Sequence, residues 1–220
     1  MLIRGNADTL LCMWILDILA PPSCVFCGTP TLLPERNICT GCFDDLPWNV
    51  PPVSSSPGIF ECSIAMLHYT FPVDVGIKAL KFDRKLYYVP AFAEILCAAL
   101  PLLPRGIDAL VPVPLHWRRK TRRGFNQALE LAKPLRKVFD VPVVSGVSRR
   151  KATPFQSGLA ARERARNLHH AFEASGMHFY QHALIIDDVI TTGATAEALA
   201  KALLSAGIRK VSVLAVARAG

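Results

Sequence analysis

The stretch ALIIDDVITTGAT, residues 183–195, decides the fold class because it joins a hydrophobic run to two carboxylates, a loop and a helix. Ala183 to Ile186 are apolar without alternation, which predicts a strand buried on both faces. From Ala194 onward, apolar residues recur at three- and four-residue steps, which predicts a helix. This order is typical of an α/β protein that binds a ligand at the carboxyl edge of its sheet.

The loop in this stretch has the properties of a phosphate site. It offers threonine hydroxyls, backbone N–H groups and the positive end of a helix dipole. Asp187 and Asp188 would repel a phosphate directly beside them, so a phosphorylated sugar fits the motif better. The loop would hold the phosphate, and the carboxylates would accept hydrogen bonds from vicinal hydroxyls or hold Mg²⁺. The alternative is an ordinary strand-to-helix turn, in which Asp forms the turn and Thr caps the helix.

The charge of the chain is concentrated in one region. The 220 residues are 51% hydrophobic and 19% charged, which allows one α/β domain and a small appendage. The net charge is +8, and residues 105–170 alone contain 15 Lys/Arg against 4 Asp/Glu. An ordinary surface mixes both signs, so this concentration predicts a polyanionic partner.

Two stretches carry this positive charge. Residues 111–128, VPVPLHWRRKTRRGFNQA, follow a predicted strand end, and residues 149–168, RRKATPFQSGLAARERARNL, are rich in turn formers. The first predicts an anion site at the sheet edge, with a solvated basic turn as the alternative. The second predicts a mobile lid that brings cations to a diphosphate, with an exposed helix as the alternative. The candidate contact residues are Arg118, Arg119, Arg122, Arg123, Asn126, Gln127, Arg149, Arg150, Gln156 and Arg164.

Four of the seven cysteines form two C-x₂-C pairs. They are Cys24, Cys27, Cys39 and Cys42. Paired knuckles of this kind place four thiolates around a tetrahedral Zn²⁺, so we predict a structural zinc ribbon. Two disulfides in a secreted domain are the alternative.

The chain is expected to divide into three parts. Residues 1–47 form an N-terminal helix and the zinc ribbon, residues 48–58 a Pro/Ser-rich linker, and residues 59–220 the α/β domain. The segment TLLCMWILDILA, residues 9–20, predicts an amphipathic helix rather than a signal peptide, because Asp17 interrupts it and prolines follow. No apolar run reaches the roughly 18 residues that span a bilayer. We therefore expect a cytoplasmic protein.

Strands and helices alternate along the predicted domain from Ile107 onward, which favours a parallel sheet with helices on both faces. The expected strands are 59–69, 106–112, 141–144, 183–186 and 211–217. The expected helices are 73–82, 89–100, 124–139 and one from residue 194, and residues 148–166 are a polar segment.

The order of these motifs resembles the ComF (competence protein F) and GntX-like family of bacteria. A four-cysteine ribbon comes first, KALKF (residues 78–82) follows, and the two basic stretches precede LIIDDVITTGAT. The resemblance covers nearly the whole chain. It implies an N-terminal zinc motif, a type I phosphoribosyltransferase-like domain, and a role in DNA uptake or in the use of DNA as a nutrient.

The resemblance also implies roles for particular residues. It makes residues 187–195 the loop for phosphoribosyl pyrophosphate (PRPP), which binds with Mg²⁺, and it makes residues 113–114 the turn that faces the pyrophosphate. The implied PRPP-binding residues are Asp187, Asp188, Val189, Thr191, Thr192, Gly193, Ala194, Thr195, Val113 and Pro114. Arg123, Asn126 and Gln127 match a family element R-G-F-N-Q, and Gln156, Arg164 and Asn167 match a later polar block.

Two functions remain open on the sequence. The first is a DNA-handling protein that binds single-stranded DNA across the basic stretches and PRPP in its loop. A competence helicase or the uptake machinery at the inner face of the membrane is then a candidate partner, with a cytoplasmic or peripheral location. The second is an active phosphoribosyltransferase that joins PRPP to a base or amine and has no direct DNA role.

Overall fold

The computed structural model describes residues 22–31, 36–50, 53–54, 58–115, 121, 123–149 and 171–220. The chain divides into two compact units, residues 1–46 and residues 47–220. Several predictions lie outside the described residues. They are the N-terminal helix at residues 9–20 and the candidate contact residues Arg118, Arg119, Arg122, Arg150, Gln156 and Arg164.

In the smaller unit, the described residues 22–31 and 36–46 form two tight turns and one short helix. The first turn is closed by hydrogen bonds from Cys24 N to Thr29 O (2.8 Å) and from Gly28 N to Cys24 O (2.9 Å). The second turn opens helix α1, Thr40–Asp44, for which Cys39 is the N-cap. A hydrogen bond from Val25 N to Asn37 O (3.0 Å) ties the two turns together. Backbone hydrogen bonds therefore hold both cysteine pairs in place.

The larger unit contains a five-stranded sheet in the order β1-β2-β7-β6-β3. The strands are β1 (Val53–Ser54), β2 (Cys62–His68), β3 (Ala109–Pro112), β6 (His182–Ile190) and β7 (Lys210–Arg218). The edge strand β1 is antiparallel to β2, and the other four strands are parallel. The central strands β6 and β7 are buried along most of their length, as expected of a parallel sheet covered on both faces. The predicted α/β fold with a parallel sheet is confirmed.

Helices flank this sheet. They are α2 (Val73–Asp83), α3 (Tyr88–Cys97), α4 (Gln127–Phe139) and α5 (Ala194–Ser205). Leu199 and Leu203 of α5 share one hydrophobic cluster with Ile185 of β6 and Val213 of β7. Helix α4 contacts β3 and β6, and α3 contacts both α4 and β7. A separate antiparallel pair, β4 (Val147–Arg149) and β5 (Phe172–Ala174), completes the unit.

Part of the predicted linker, residues 48–58, belongs to the sheet unit. Trp48 bridges Leu67, and the edge strand β1 pairs with β2 through Val53–Ile64 and Ser54–Ser63. The Asn49 side chain also donates to the Ala65 carbonyl oxygen (2.9 Å). The Pro/Ser composition suggested a spacer, but backbone groups here find partners on the open edge of β2.

The stretch between residues 141 and 149 differs from the sequence-based expectation. The predicted strand 141–144 forms only one bridge, between Val143 and Leu110, together with the hydrogen bond from Val144 N to Leu110 O (2.8 Å). The predicted polar segment 148–166 begins instead inside strand β4, where Arg149 pairs with Phe172. A strand of three residues is too short to show an alternating pattern, and its pairing with residues 172–174 is not visible in the local sequence.

Candidate functional site

The acidic pair lies inside β6 and not in a loop after it. Asp187 pairs with Ala215 and Val189 with Ala217, so β7 extends the strand to Ile190. On its other side, β6 is paired only as far as Ile186, which faces Pro112 at the end of β3. The prediction that the strand ends at Ile186 was wrong because the neighbour β7 is longer than β3. The carboxylates therefore stand where β6 projects beyond β3, at the carboxyl edge of the sheet.

The predicted pyrophosphate turn lies beside this projection. The Val113 N–H donates to the Ile186 carbonyl oxygen at 3.0 Å, so residue 113 sits next to the acidic pair. Val113 is buried and Pro114 is half-buried. The structure thus brings together two stretches that are more than seventy residues apart in the sequence. This is the edge at which open α/β sheets bind ligands.

Asp188 forms an ion pair that the sequence did not reveal. Lys81 Nζ of α2 lies 2.9 Å from Asp188 Oδ1, and the two side chains are only 19% and 10% exposed. The neighbouring carboxylate is held differently, since Asp187 Oδ1 accepts a hydrogen bond from the Asp188 backbone N–H at 2.9 Å. Lys81 was visible only as part of KALKF, and nothing in its spacing indicated that it reaches the acidic pair.

The electrostatics of the acidic pair follow from burial and from close charges. Burial is the main cause that raises the pKa of Asp187 to about 7. The negative charge of Asp188 acts in the same direction, and the positive charge of Lys81 opposes it. A carboxyl group with this pKa can donate or accept a hydrogen bond at neutral pH. The pair is thus suited to hydroxyl groups, which both donate and accept.

The loop after β6 leads directly into helix α5. Gly193 is the N-cap residue with φ 79°, a left-handed conformation that strongly favours glycine. Thr191 and Thr192 are exposed, and the Ala194 N–H approaches Thr192 Oγ1 at 3.5 Å. The first N–H groups of a helix have no intrahelical acceptor, and its N-terminus attracts anions. Residues 191–195 therefore form a partly exposed loop next to the acidic pair, with the features that can bind an anion.

The R-G-F-N-Q element is connected to the turn at residue 113. Asn126 caps α4 by accepting from the Ala128 N–H at 3.1 Å, and its Nδ2 donates to the Val113 carbonyl oxygen at 3.0 Å. One side chain thus fixes both the helix start and the turn. Gln127 is buried, and its Nε2 has no hydrogen-bond partner among the described residues. A buried amide without an acceptor costs about 1–3 kcal/mol.

The described cations of the basic stretches are associated with aromatic rings. The Arg123 guanidinium lies 5.2 Å from the centre of the Phe82 ring, and Arg149 lies 5.3 Å from the centre of the Phe172 ring. Phe82 is 60% exposed, and Tyr87 in the next turn is 53% exposed. The start of the R-G-F-N-Q element thus lies beside the end of α2.

The four cysteine sulfurs form a cluster. Their Sγ atoms all lie within 4.8 Å of one another, and Cys27 Sγ and Cys39 Sγ are 3.7 Å apart. Four sulfurs bound tetrahedrally at about 2.3 Å from a metal ion are roughly 3.8 Å apart. All four cysteines are free of disulfides, so the disulfide alternative does not apply to them. The ligands of this cluster can hold a metal ion.

Hydrogen bonding prepares one of these sulfurs for metal binding. The side chain and backbone of Thr29 lower the pKa of Cys27 to about 6, and the Thr29 hydroxyl lies 3.3 Å from its sulfur. Burial, followed by hydrogen bonds with the other cysteines, raises the pKa of Cys42. Because metal ligation requires thiolates, metal uptake by the cluster releases protons.

None of the helices within the described part of the chain has the length and apolar character that crossing a bilayer requires.

Comparison with known proteins identifies the family. No protein-family model matches the chain. Competence protein F of Haemophilus influenzae is 35% identical over 161 residues, which cover 69% of this chain and 70% of that protein. DNA utilization protein YhgH of Salmonella typhi is 31% identical over 221 residues, covering 90% and 97%. The protein of the same name from Escherichia coli K12 is 35% identical over 168 residues, covering 74% of each chain.

The fold and the cysteine cluster define an α/β protein with an additional four-cysteine motif that can hold a metal ion. With relatives of this similarity over most of its length, the chain belongs to the ComF family. The family resemblance inferred from the motifs is confirmed.

Proposed function

We propose that this protein serves DNA uptake and utilisation, and that it binds PRPP at the carboxyl edge of its sheet and single-stranded DNA on an adjoining basic surface. The observation that carries the proposal is the juxtaposition of the Val113 turn and the acidic pair, joined by the 3.0 Å hydrogen bond from Val113 N to Ile186 O. The names of the relatives, competence protein F and DNA utilization protein, support the DNA role. A cytoplasmic location and a helicase or other uptake component as partner fit this role.

PRPP suits the edge of the sheet because its groups match the available side chains. The 5′-phosphate would lie on the loop at residues 191–195, where Thr191 and Thr192 are exposed and helix α5 begins. The ribose hydroxyls would face Asp187 and Asp188. The pyrophosphate would reach the turn at Val113 and Pro114, and it would carry Mg²⁺ on its own oxygens. Asn126 would keep this turn in place.

We further propose that the metal ion of the four-cysteine cluster is Zn²⁺ with a structural role. Four thiolates in tetrahedral array are the ligand set of structural zinc sites, which leave no open coordination position. Folding units of this size, residues 1–46, generally cannot build a sufficient hydrophobic core, so the metal would contribute much of the folding free energy.

A DNA strand could continue from the phosphate site onto the exposed surface of α2 and the turn that follows it. Phe82 and Tyr87 expose their rings there, and Arg84 and Lys85 are exposed between them. Exposed aromatic rings among cations are typical of proteins that bind single strands, because bases stack on the rings while cations follow the phosphates. No base-reading element accompanies them in the described part of this surface, so binding would be sequence-tolerant.

A second function, phosphoribosyl transfer, is favoured by the position of the Val113 turn. A turn beside the acidic pair could hold pyrophosphate as it leaves the anomeric carbon. Transfer of this kind needs mainly positioning and charge stabilisation from the protein. Release of pyrophosphate from PRPP in the presence of candidate bases or amines distinguishes a transferase from a binding protein.

The DNA role is tested by replacing four arginines with alanine. The variant Arg118→Ala/Arg119→Ala/Arg122→Ala/Arg123→Ala should bind a single-stranded oligonucleotide more weakly. The steepness of its log–log salt dependence should fall by roughly 0.7 for each phosphate that the variant no longer neutralises. Arg136→Ala/Lys137→Ala at the far end of α4 is the matched control and should behave as the parent. If only PRPP binding collapses while DNA affinity and slope are retained, these arginines serve the small ligand and the DNA role fails.

A further inference from the structure

The ion pair between Lys81 and Asp188 assigns a cation to the acidic pair. Lys81 belongs to α2, the helix that follows β2. In the sheet, β2 and β3 lie on opposite sides of the central pair β7 and β6. The Lys81 Nζ lies 2.9 Å from Asp188 Oδ1. Both partners are largely buried, which excludes most of the solvent screening that weakens surface pairs. A buried carboxylate with a close ammonium group has its charge compensated within the protein.

Helix α2 offers a direct contrast to this pair. Lys78, three residues earlier, pairs with Asp74 of the same helix at 2.6 Å, and its side chain is 55% exposed. That contact is an ordinary i,i+4 pair of a helix surface, which contributes little. The Lys81 side chain instead forms its ion pair with Asp188 of the central strand β6, so the two lysines have different roles.

An ammonium group at 2.9 Å occupies the position from which a divalent ion would bind Asp188 Oδ1. Coordination of that oxygen by Mg²⁺ would either displace Lys81 or place two cations next to each other, and both cost free energy. The ion pair, in contrast, presents N–H donors beside carboxylate oxygens. A vicinal diol needs both kinds of partner, because each hydroxyl donates one hydrogen bond and accepts others.

We propose that Lys81 takes the place of a divalent ion at the acidic pair, so that the sugar hydroxyls bind there to Asp188 and Lys81 without a metal. This inference rests on the proposed sugar-phosphate site and specifies how its ribose part is recognised. Any Mg²⁺ that enters with PRPP then belongs to the pyrophosphate alone.

Ribose 5-phosphate tests this assignment because it carries the hydroxyls and the phosphate but no pyrophosphate. Calorimetry is carried out on the full chain with EDTA and, separately, with Mg²⁺. The parent should bind equally well in both. In EDTA, Lys81→Met should bind ribose 5-phosphate roughly 10- to 100-fold more weakly than the parent, because hydrogen bonds from a charged donor are lost. Mg²⁺ should reduce this difference in affinity. Lys78→Met is the control and should match the parent.

Three results would overturn the assignment. The parent could bind ribose 5-phosphate only with Mg²⁺, or Lys81→Met could bind it in EDTA as tightly as the parent. The third is that Mg²⁺ does not reduce the difference in affinity between the two proteins. Lys81→Arg retains the cation, so its affinity for ribose 5-phosphate should stay close to that of the parent. This variant separates loss of charge from loss of folding.

If the parent does not bind ribose 5-phosphate in either buffer, the result refutes the proposed function instead. In that case Mn²⁺ binding followed by electron paramagnetic resonance still decides the role of Lys81. The variant Lys81→Met should bind Mn²⁺ more tightly than the parent and lose it on adding Asp188→Asn, and equal binding by both proteins contradicts the inference.

Discussion

Asn126 holds two parts of the site together, and its two hydrogen bonds can be removed separately. Its Oδ1 caps α4 through the Ala128 N–H (3.1 Å), and its Nδ2 holds the Val113 carbonyl (3.0 Å). Asn126→Ser keeps a good N-cap but loses the amide Nδ2 that donates to Val113, whereas Asn126→Ala loses both the cap and this donor. A cap contributes about 1 kcal/mol, and a neutral hydrogen bond of this kind also contributes about 1 kcal/mol. We expect the free energy of unfolding to fall by about 1 kcal/mol in the serine variant and by about 2 kcal/mol in the alanine variant.

Ligand binding by the same variants should follow a different pattern. In the proposed complex the Val113 turn faces the pyrophosphate, so both variants should lose affinity for PRPP to a similar extent. Ribose 5-phosphate, which does not reach the turn, should bind both as it binds the parent. Urea denaturation and calorimetry measure the two quantities. Equal stabilities for the serine and alanine variants would refute the capping role, and equal losses for both ligands would refute the role of the turn.

Two further predictions concern the cysteine cluster and a buried histidine. Cys39→Ser should abolish stoichiometric zinc, measured by mass spectrometry of the purified protein, and should leave ribose 5-phosphate binding by the larger unit unchanged; retained zinc would show that the cluster is not the metal site. His182 is buried, its Nε2 lies 2.9 Å from Ser212 Oγ, and burial lowers its pKa. Below a pH of about 6.5, His182 therefore binds a proton in the unfolded chain but not in the folded protein. The free energy of unfolding should then fall on acidification by at most about 1.4 kcal/mol per pH unit. His182→Asn should remove that component of the slope, and an unchanged slope would show that another group is responsible.

The sequence was sufficient where a local pattern determines structure. The alternation of strands and helices indicated the α/β class, and the predicted helices at 73–82 and 124–139 match α2 (Val73–Asp83) and most of α4 (Gln127–Phe139). Helix α4 starts later than predicted because Asn126 is extended and caps it. The C-x₂-C spacing likewise brought four sulfurs together. Each of these features depends on residues that are close in sequence.

Features that depend on distant partners were not predictable. Nothing near Asp187 indicates that β7 extends strand β6 past it. The Lys81–Asp188 pair joins a helix and a strand with many residues between them, and a lysine on a helix is usually solvated. The pairing of β4 with β5 joins residues 149 and 172 in the same way. Tertiary interactions determine these arrangements, and local propensity does not.

The central claim is that the edge formed by β6 and its loop binds PRPP. The most direct test compares PRPP binding, with Mg²⁺ present, by the parent and by Asp187→Asn/Asp188→Asn. The double variant keeps the size of both side chains. The control is Glu130→Gln in α4, where the half-buried carboxylate pairs with Lys133. Loss of charge-assisted hydrogen bonds should weaken binding by about 2–4 kcal/mol, which is roughly 30- to 1,000-fold. Parental affinity in a double variant that remains folded by circular dichroism would contradict the account.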